Sequence, residues 1–252
     1  MRIRVFRPIA AALFVTVSAC SGGGEEQVSH ADMKHVDQAT AGTVIGRVNF
    51  EGTAPENPTV RIAGDPRCAS ATGMTFEHYI VKDGGLDNVF VYVKDGLGNY
   101  HFDTPAEPVK LDQQGCRYVP HVVGLQVGQP LEVANSDDTM HNVHALPEAN
   151  REFNFPQHRK DQRDTRTFTA AEVMVPLKCD LHPWMSAYVG VVAHPYFAVT
   201  SNGGRFELRN LPPGTYTVEA WHSKAGTQTL QVTIGEKETK DVAFTFRSAA
   251  AN

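Results

Sequence analysis

The segment Cys179-Asp180-Leu181-His182-Pro183-Trp184-Met185 puts a thiol, an imidazole and a thioether on one short loop at C-x2-H-x2-M spacing. Three soft or borderline donors this close can converge on one point. Sulfur with imidazole selects copper over hard cations. A His2Cys plane with a long axial Met is the geometry of an electron-transfer copper site. The loop supplies all of that set except a second imidazole. Met140-His141-Asn142-Val143-His144 offers one, after a strand-like run (125–133) and a polar turn (135–139).

Elements must aim these side chains. Val173, Val175, Leu177 and Cys179 recur at period two, so they share one strand face and Cys179 points inward at the strand end. His144 lies three residues beyond His141 and faces the other way on a strand. Met140 points away from a ligating His141. His121, His194 and His222 sit in strand or turn contexts and read as structural, while His158 and Met174 are possible accessory ligands. Further β-rich runs cover 43–50, 60–62, 78–81, 88–93 and 188–192. Lys82-Asp83-Gly84-Gly85 predicts a hairpin turn between 78–81 and 88–93. Short strands at 205–209, 215–221, 230–234 and 242–246, split by turn signals, predict a meander within a β-sandwich.

Ligand types, order and spacing, with Asn142 and Pro183 beside them, make residues 88–194 resemble the cupredoxins, most closely the amicyanin and plastocyanin branch. The resemblance implies one copper ion held by His141, Cys179, His182 and Met185. It implies that Asn142 hydrogen-bonds toward the Cys179 sulfur. It also implies that His182, flanked by Pro183 and Trp184, reaches the surface as the electron port. Phe153, Phe155, Leu146 and Trp184 could supply an apolar shell, or could be ordinary core. The G-R-F-E-L-R-N-L-P-P-G-T-Y-T-V stretch from Gly204 resembles the carboxypeptidase regulatory-like, transthyretin-like modules. Their opening T-V-x-G-x-V strand has a counterpart at 43–48. The expected fold is all-β: a Greek-key cupredoxin sandwich (86–195) plus a smaller transthyretin-like sandwich built from 42–85 and 196–248. The competing layout gives the N-terminal strands to the cupredoxin itself.

The N-terminus carries Arg2, Arg4 and Arg7 before a short apolar run (9–19), too short to span a membrane. Val17-Ser18-Ala19-Cys20 resembles the bacterial lipoprotein signal. Residues 1–20 are expected to be the signal, Cys20 the lipidated residue, and 21–41 a flexible tether. Ser21 resembles the outer-membrane sorting pattern, so the chain is expected on the outer membrane facing the periplasm. His30, Met33 and His35 on the tether read as solvated linker residues. Export leads to an oxidising compartment. With Cys20 and Cys179 assigned, Cys68 and Cys116 remain, and they are expected to pair as a disulfide, the alternative being two buried thiols.

A net charge of -5 argues against a nucleic-acid binder, which would show a basic face. No phosphate-binding loop, G-x-S-x-G or H-E-x-x-H occurs. Asp137 and Asp138 read as turn-capping residues rather than an acid–base pair. No second cysteine neighbours Cys179, which disfavours a dinuclear copper centre. The expectation is a lipid-anchored carrier of single electrons and not an enzyme. Its partner would be a redox protein such as a cytochrome or oxidoreductase. A copper store or chaperone, or a structural lipoprotein with a vestigial site, are the other readings.

Overall fold

The computed structural model describes residues 33–62, 65–71 and 73–248. Cys20 and the expected signal lie outside them. In the strand Gly42–Glu51, Val44, Val48 and Phe50 turn inward, as a half-buried strand requires. Gly46 sits among them because the Phe206 ring fills its side-chain space; a Cβ there would stand 2.5 Å from that ring. Arg205–Leu211 pairs antiparallel with the first half of this strand, and Thr239–Arg247 runs parallel along its other edge. The facing sheet has the order Phe197–Val199, Phe90–Asp95, Gly214–His222, Gly226–Ile234. Between the two sheets Val48, Leu86, Val91, Leu208, Tyr216, Val218 and Phe244 form one core. We call this body the flanking sandwich.

The expected meander of the tail is corrected here. Arg205–Leu211 and Thr239–Arg247 lie in one sheet, and the Gly214–His222/Gly226–Ile234 hairpin lies in the other. Each strand has the anticipated apolar alternation, but alternation specifies a face, not a partner.

The ligand sandwich has a five-stranded sheet in the order Phe153–Gln157, His141–Ala145, Glu172–Lys178, Ser186–Val192, Val122–Gln126. Its second sheet runs Arg163–Thr167, Pro130–Asn135, Val109–Gln113, Tyr118–Val119. Leu111, Leu125, Leu131, Val133, Val143, Val175, Leu177 and Val189 fill the space between. Among the described residues the chain is thus all-β, apart from one short 3-10 turn at Pro66–Ala71. Among the described residues no helix is long and apolar enough to cross a membrane.

Two further expectations change. The boundary expected at residue 86 falls later, because Phe90–Asp95 pairs with Gly214–His222 and Phe197–Val199 in the flanking sandwich. The Asp83-Gly84 turn forms, with both residues at positive φ (51° and 74°) as a tight hairpin turn demands. It joins Val81–Lys82 to Gly85–Leu86, not the longer runs on either side.

Phe90 packs the two bodies together. Its ring lies over Gly124 and Gly190, which are register partners on adjacent parallel strands. A Cβ at either would stand 2.6 or 2.4 Å from the ring. Tyr92, Val122 and Val192 complete this seam, with Met174, Tyr188, Phe197 and Trp221 against it.

Residues 52–80 leave the flanking sandwich and reach over the ligand sandwich as a cap. Residues 60–62 form no strand; the segment folds on itself through Val60 N to Met74 O (2.8 Å) and Phe76 N to Pro58 O (2.9 Å). Arg117 of the ligand sandwich donates to Met74 Sδ and to the Thr75 carbonyl. Cys68 of the cap and Cys116 of the ligand sandwich are disulfide-bonded, with Cα atoms 5.8 Å apart.

Candidate metal centre

His141 opens the strand His141–Ala145, and Cys179 follows the end of its neighbour, Glu172–Lys178. Lys178 pairs with His144 in register, so the two strands deliver their side chains to the same end of the sandwich. Val175, Leu177 and Cys179 are buried on one face as expected. Val173 departs from that face, because the register shifts between Glu172 and Val175, and it packs at the seam instead.

The loop then turns back on itself. The Met185 amide donates to the His182 carbonyl (2.9 Å) and the Cys179 amide to the Met185 carbonyl (3.2 Å). This swings His182 under Cys179. His141 Nδ1 lies 2.9 Å from His182 Nδ1, and Cys179 Sγ lies 3.7 Å from His182 Nδ1. The donor atoms of His141, Cys179 and His182 all fall within 4.8 Å of one another. Nitrogens at ~2.0 Å and a sulfur at ~2.3 Å from one ion stand about 3 to 4 Å apart, so this cluster fits a single ion. His141 is 0 %, Cys179 1 %, His182 3 % and Met185 1 % exposed. The residues fit a copper ion in donor chemistry as well.

The surroundings favour a thiolate. Burial pushes the Cys179 thiol up, but the His141 and His182 imidazoles and the Asn142 amide outweigh it and bring it down to about 6. Asn142 pins the loop: its Oδ1 accepts from the Asp180 amide (2.6 Å) and from Cys179 Sγ (3.3 Å), and its own amide points at that sulfur (3.5 Å). Its Nδ2 donates to Asp180 (3.0 Å) and to Asn154 (2.7 Å). His144 faces outward as expected and joins this network, bridging Asp180 and Glu152. The Glu152 carboxylate holds the His144 pKa above its ordinary value.

Asp137 does more than cap a turn. It accepts from the amides of Gly115 and Cys116 (both 2.7 Å) and from His141 Nε2 (3.0 Å). A carboxylate only accepts, so Nε2 carries the proton and Nδ1 turns its lone pair inward. Burial lowers and Asp137 raises the His141 pKa; the net shift is upward.

His182 is not at the surface, which overturns the expectation of an exposed port. The cap covers it. Its Nε2 faces Cys68 Sγ at 3.8 Å and Asp65 at 3.5 Å. Asp65 accepts from the Thr139 hydroxyl, the main reason its carboxyl is held well below the usual range. The Trp184 ring lies tilted against His182 with centroids 5.1 Å apart and donates to the Cys116 carbonyl (3.0 Å), while Pro183 is exposed. Trp184, Phe153 and Phe155 pack in the ligand core, whereas Leu146 is 37 % exposed and shields nothing. The accessory candidates do not reach the centre: His158 Nδ1 meets Met140 Sδ at 3.2 Å, and Met174 packs at the seam. Asp65, Asp137 and Asp180 were not anticipated at the site. Only the i,i+4 spacing of Asp137 and His141 hinted at any of them.

A family profile described as carboxypeptidase regulatory-like domain matches residues 183–247. A search of curated proteins finds no match. Among solved structures, a purple cupredoxin from Nitrosopumilus maritimus is similar at 20% identity and TM-score 0.29, covering 33% of this chain and 98% of its own. An oxidised amicyanin variant is similar at 20% identity and TM-score 0.31, over 40% of this chain and 97% of its own. A copper-containing nitrite reductase from Thermus scotoductus shares 20% identity at TM-score 0.32, with 53% of this chain and 28% of its own covered.

Proposed function

We propose that His141, Cys179, His182 and Met185 hold one copper ion and that the protein carries single electrons between redox proteins. The observation that supports this most is the buried convergence of one sulfur and two imidazole nitrogens within 4.8 Å. When bound, copper would supply one-electron chemistry. The chain's own residues would keep the ligand positions fixed: Asn142 holds the Cys179 sulfur, Asp137 orients His141, and the cap excludes water. Little would then need to move as charge changes. In this reading the protein is not an enzyme. It faces the periplasm from the outer membrane through a lipid on Cys20, without nucleic-acid partners. A cytochrome or oxidoreductase would exchange electrons with it.

The copper-loaded protein should show an intense visible thiolate charge-transfer band and a narrow hyperfine pattern in paramagnetic resonance, both absent from Cys179→Ser. A colourless protein that binds copper weakly would defeat the reading. The seal over His182 favours a second one, a copper store or chaperone. That reading expects ready copper exchange with a chelator and slow reduction by a partner.

A further inference from the structure

No ligand of the centre is more than 3 % exposed, so an ion needs a route in. The side of the cluster turned toward the cap carries donors of its own. Cys68 Sγ and Asp65 both face His182 Nε2. On the other flank, donor atoms of Cys116, Asp137 and His141 lie within 4.8 Å of one another. Two sulfurs, two carboxylates and the outward nitrogens of both imidazoles therefore surround the inner centre. Bonded to each other, the sulfurs cannot ligate. As a dithiol they become soft anionic donors of the kind copper(I) prefers.

We propose that Cys68 and Cys116, in their dithiol form, make a second soft-metal site, flanked by Asp65 on one side and Asp137 on the other. Copper(I) enters through it to the inner centre, and disulfide formation then closes the way. This rests on the proposed copper role of the inner centre. Copper(I) displaces the two thiol protons as it binds. After the ion has moved inward and the thiols are reprotonated, they give two electrons and two protons to a disulfide donor. One S–S bond forms in this chain as one breaks in the donor, which leaves as a dithiol.

The location supports an entry role rather than a purely mechanical one. Cys68 comes from the cap and Cys116 from the ligand sandwich, so opening their bond frees the donors and loosens the cover together. Among the contacts that still hold the cap beside the site are the Asp65–Thr139 hydrogen bond, the Asp65–His182 pair, the packing of Ile62 on the ligand core and the Arg117 contacts to Met74, Thr75 and Glu77.

The decisive comparison uses full-length Cys179→Ser, which lacks the inner thiolate but keeps the outer pair. Reduced with a phosphine and desalted without oxygen, it should retain about one equivalent of copper(I) against bicinchoninate. Its disulfide form should retain none. Cys68→Ser/Cys116→Ser/Cys179→Ser should retain none in either state. Equal retention by reduced and oxidised Cys179→Ser, or full retention by the triple variant, would overturn the proposal. The unsubstituted metal-free protein gives a second reading, in which the dithiol form should take up copper(I) at least about tenfold faster than the disulfide form, because entry no longer waits on local opening. Equal rates would sink the entry role. The charge-transfer spectrum of the unsubstituted protein is read separately. Its absence counts against the inner centre, while the Cys179→Ser comparison decides the outer site.

Discussion

At the scale of single residues, Asp137 ties a turn to the centre. It satisfies two amides of the left-handed Gly115–Cys116 turn and fixes the His141 tautomer. Asp137→Ala should cost roughly 1–3 kcal/mol in chemical denaturation, because the buried His141 ring and the Cys116 amide lose their acceptor. It should also weaken metal binding about 10–100-fold in chelator competition, as loss of a carboxylate behind a ligating histidine does. Asn142→Ala removes the acceptor of the Asp180 amide and should cost roughly 0.5–1.5 kcal/mol in chemical denaturation; an unmoved midpoint would remove Asn142 from its pinning role. Cys179 and His182 stood out in the sequence because ligand atoms of distinct chemistry at short spacing carry their own signal, whereas His141, far upstream, was offered by the motif around it. Asp65 was not. Its contact to His182 joins residues far apart in the chain, and nothing around it has a period that a strand or helix would impose.

At the scale of elements, the cap is the feature the sequence hid. Residues 52–80 are rich in breakers and poor in alternation, and such segments read as connection. The function of this one lies in where it lands. Its disulfide closes a loop of 48 residues, worth roughly 4 kcal/mol through restriction of the unfolded chain. Cys68→Ser/Cys116→Ser should lower stability by about that amount in urea denaturation. It should also make His182 reactive toward diethylpyrocarbonate in the metal-free protein. Persistent protection of His182 would mean the cap stays down without its bond. The tail strands show the complementary limit. Their existence was legible from apolar alternation, but the split of Arg205–Leu211 and Gly214–His222 between sheets depends on partners brought in from residues 42–51 and 90–95.

At the scale of the whole molecule, two sandwiches meet along an aromatic seam whose central ring, Phe90, is seated on paired glycines. Gly190→Ala should destabilise by about 1–3 kcal/mol, since a Cβ cannot share the space of the Phe90 ring. Phe90→Ala should cost roughly 3–5 kcal/mol. Stability should also depend on pH through two histidines, the buried His222 and the half-buried His194. Burial holds His194 and His222 down to about 4, with His121 and Lys224 adding to the effect at His222. Above pH 6.5 both are neutral, folded or unfolded, and their contribution is complete. As pH falls from 6.5 to about 4 the unfolded chain binds protons that the folded chain refuses, so stability drops, by on the order of 3 kcal/mol per residue in the limit. His194→Gln should flatten its share of that slope in denaturation midpoints taken across this range. The all-β class was legible from turn-punctuated β runs. The place of Phe90–Asp95 was not, because a run of valines and aromatics suits either core equally.

Phe90–Asp95 and Phe197–Val199 are antiparallel neighbours, with Tyr92 opposite Phe197. The polypeptide therefore departs from one body and comes home through a single doorway, with the whole ligand sandwich built during the excursion. Such a module can be excised and bridged by a few residues, or exchanged for a different one, without rethreading its host. What this host adds beyond the seam is the arm from residues 52–80, so a transplanted centre would arrive at its new address uncovered.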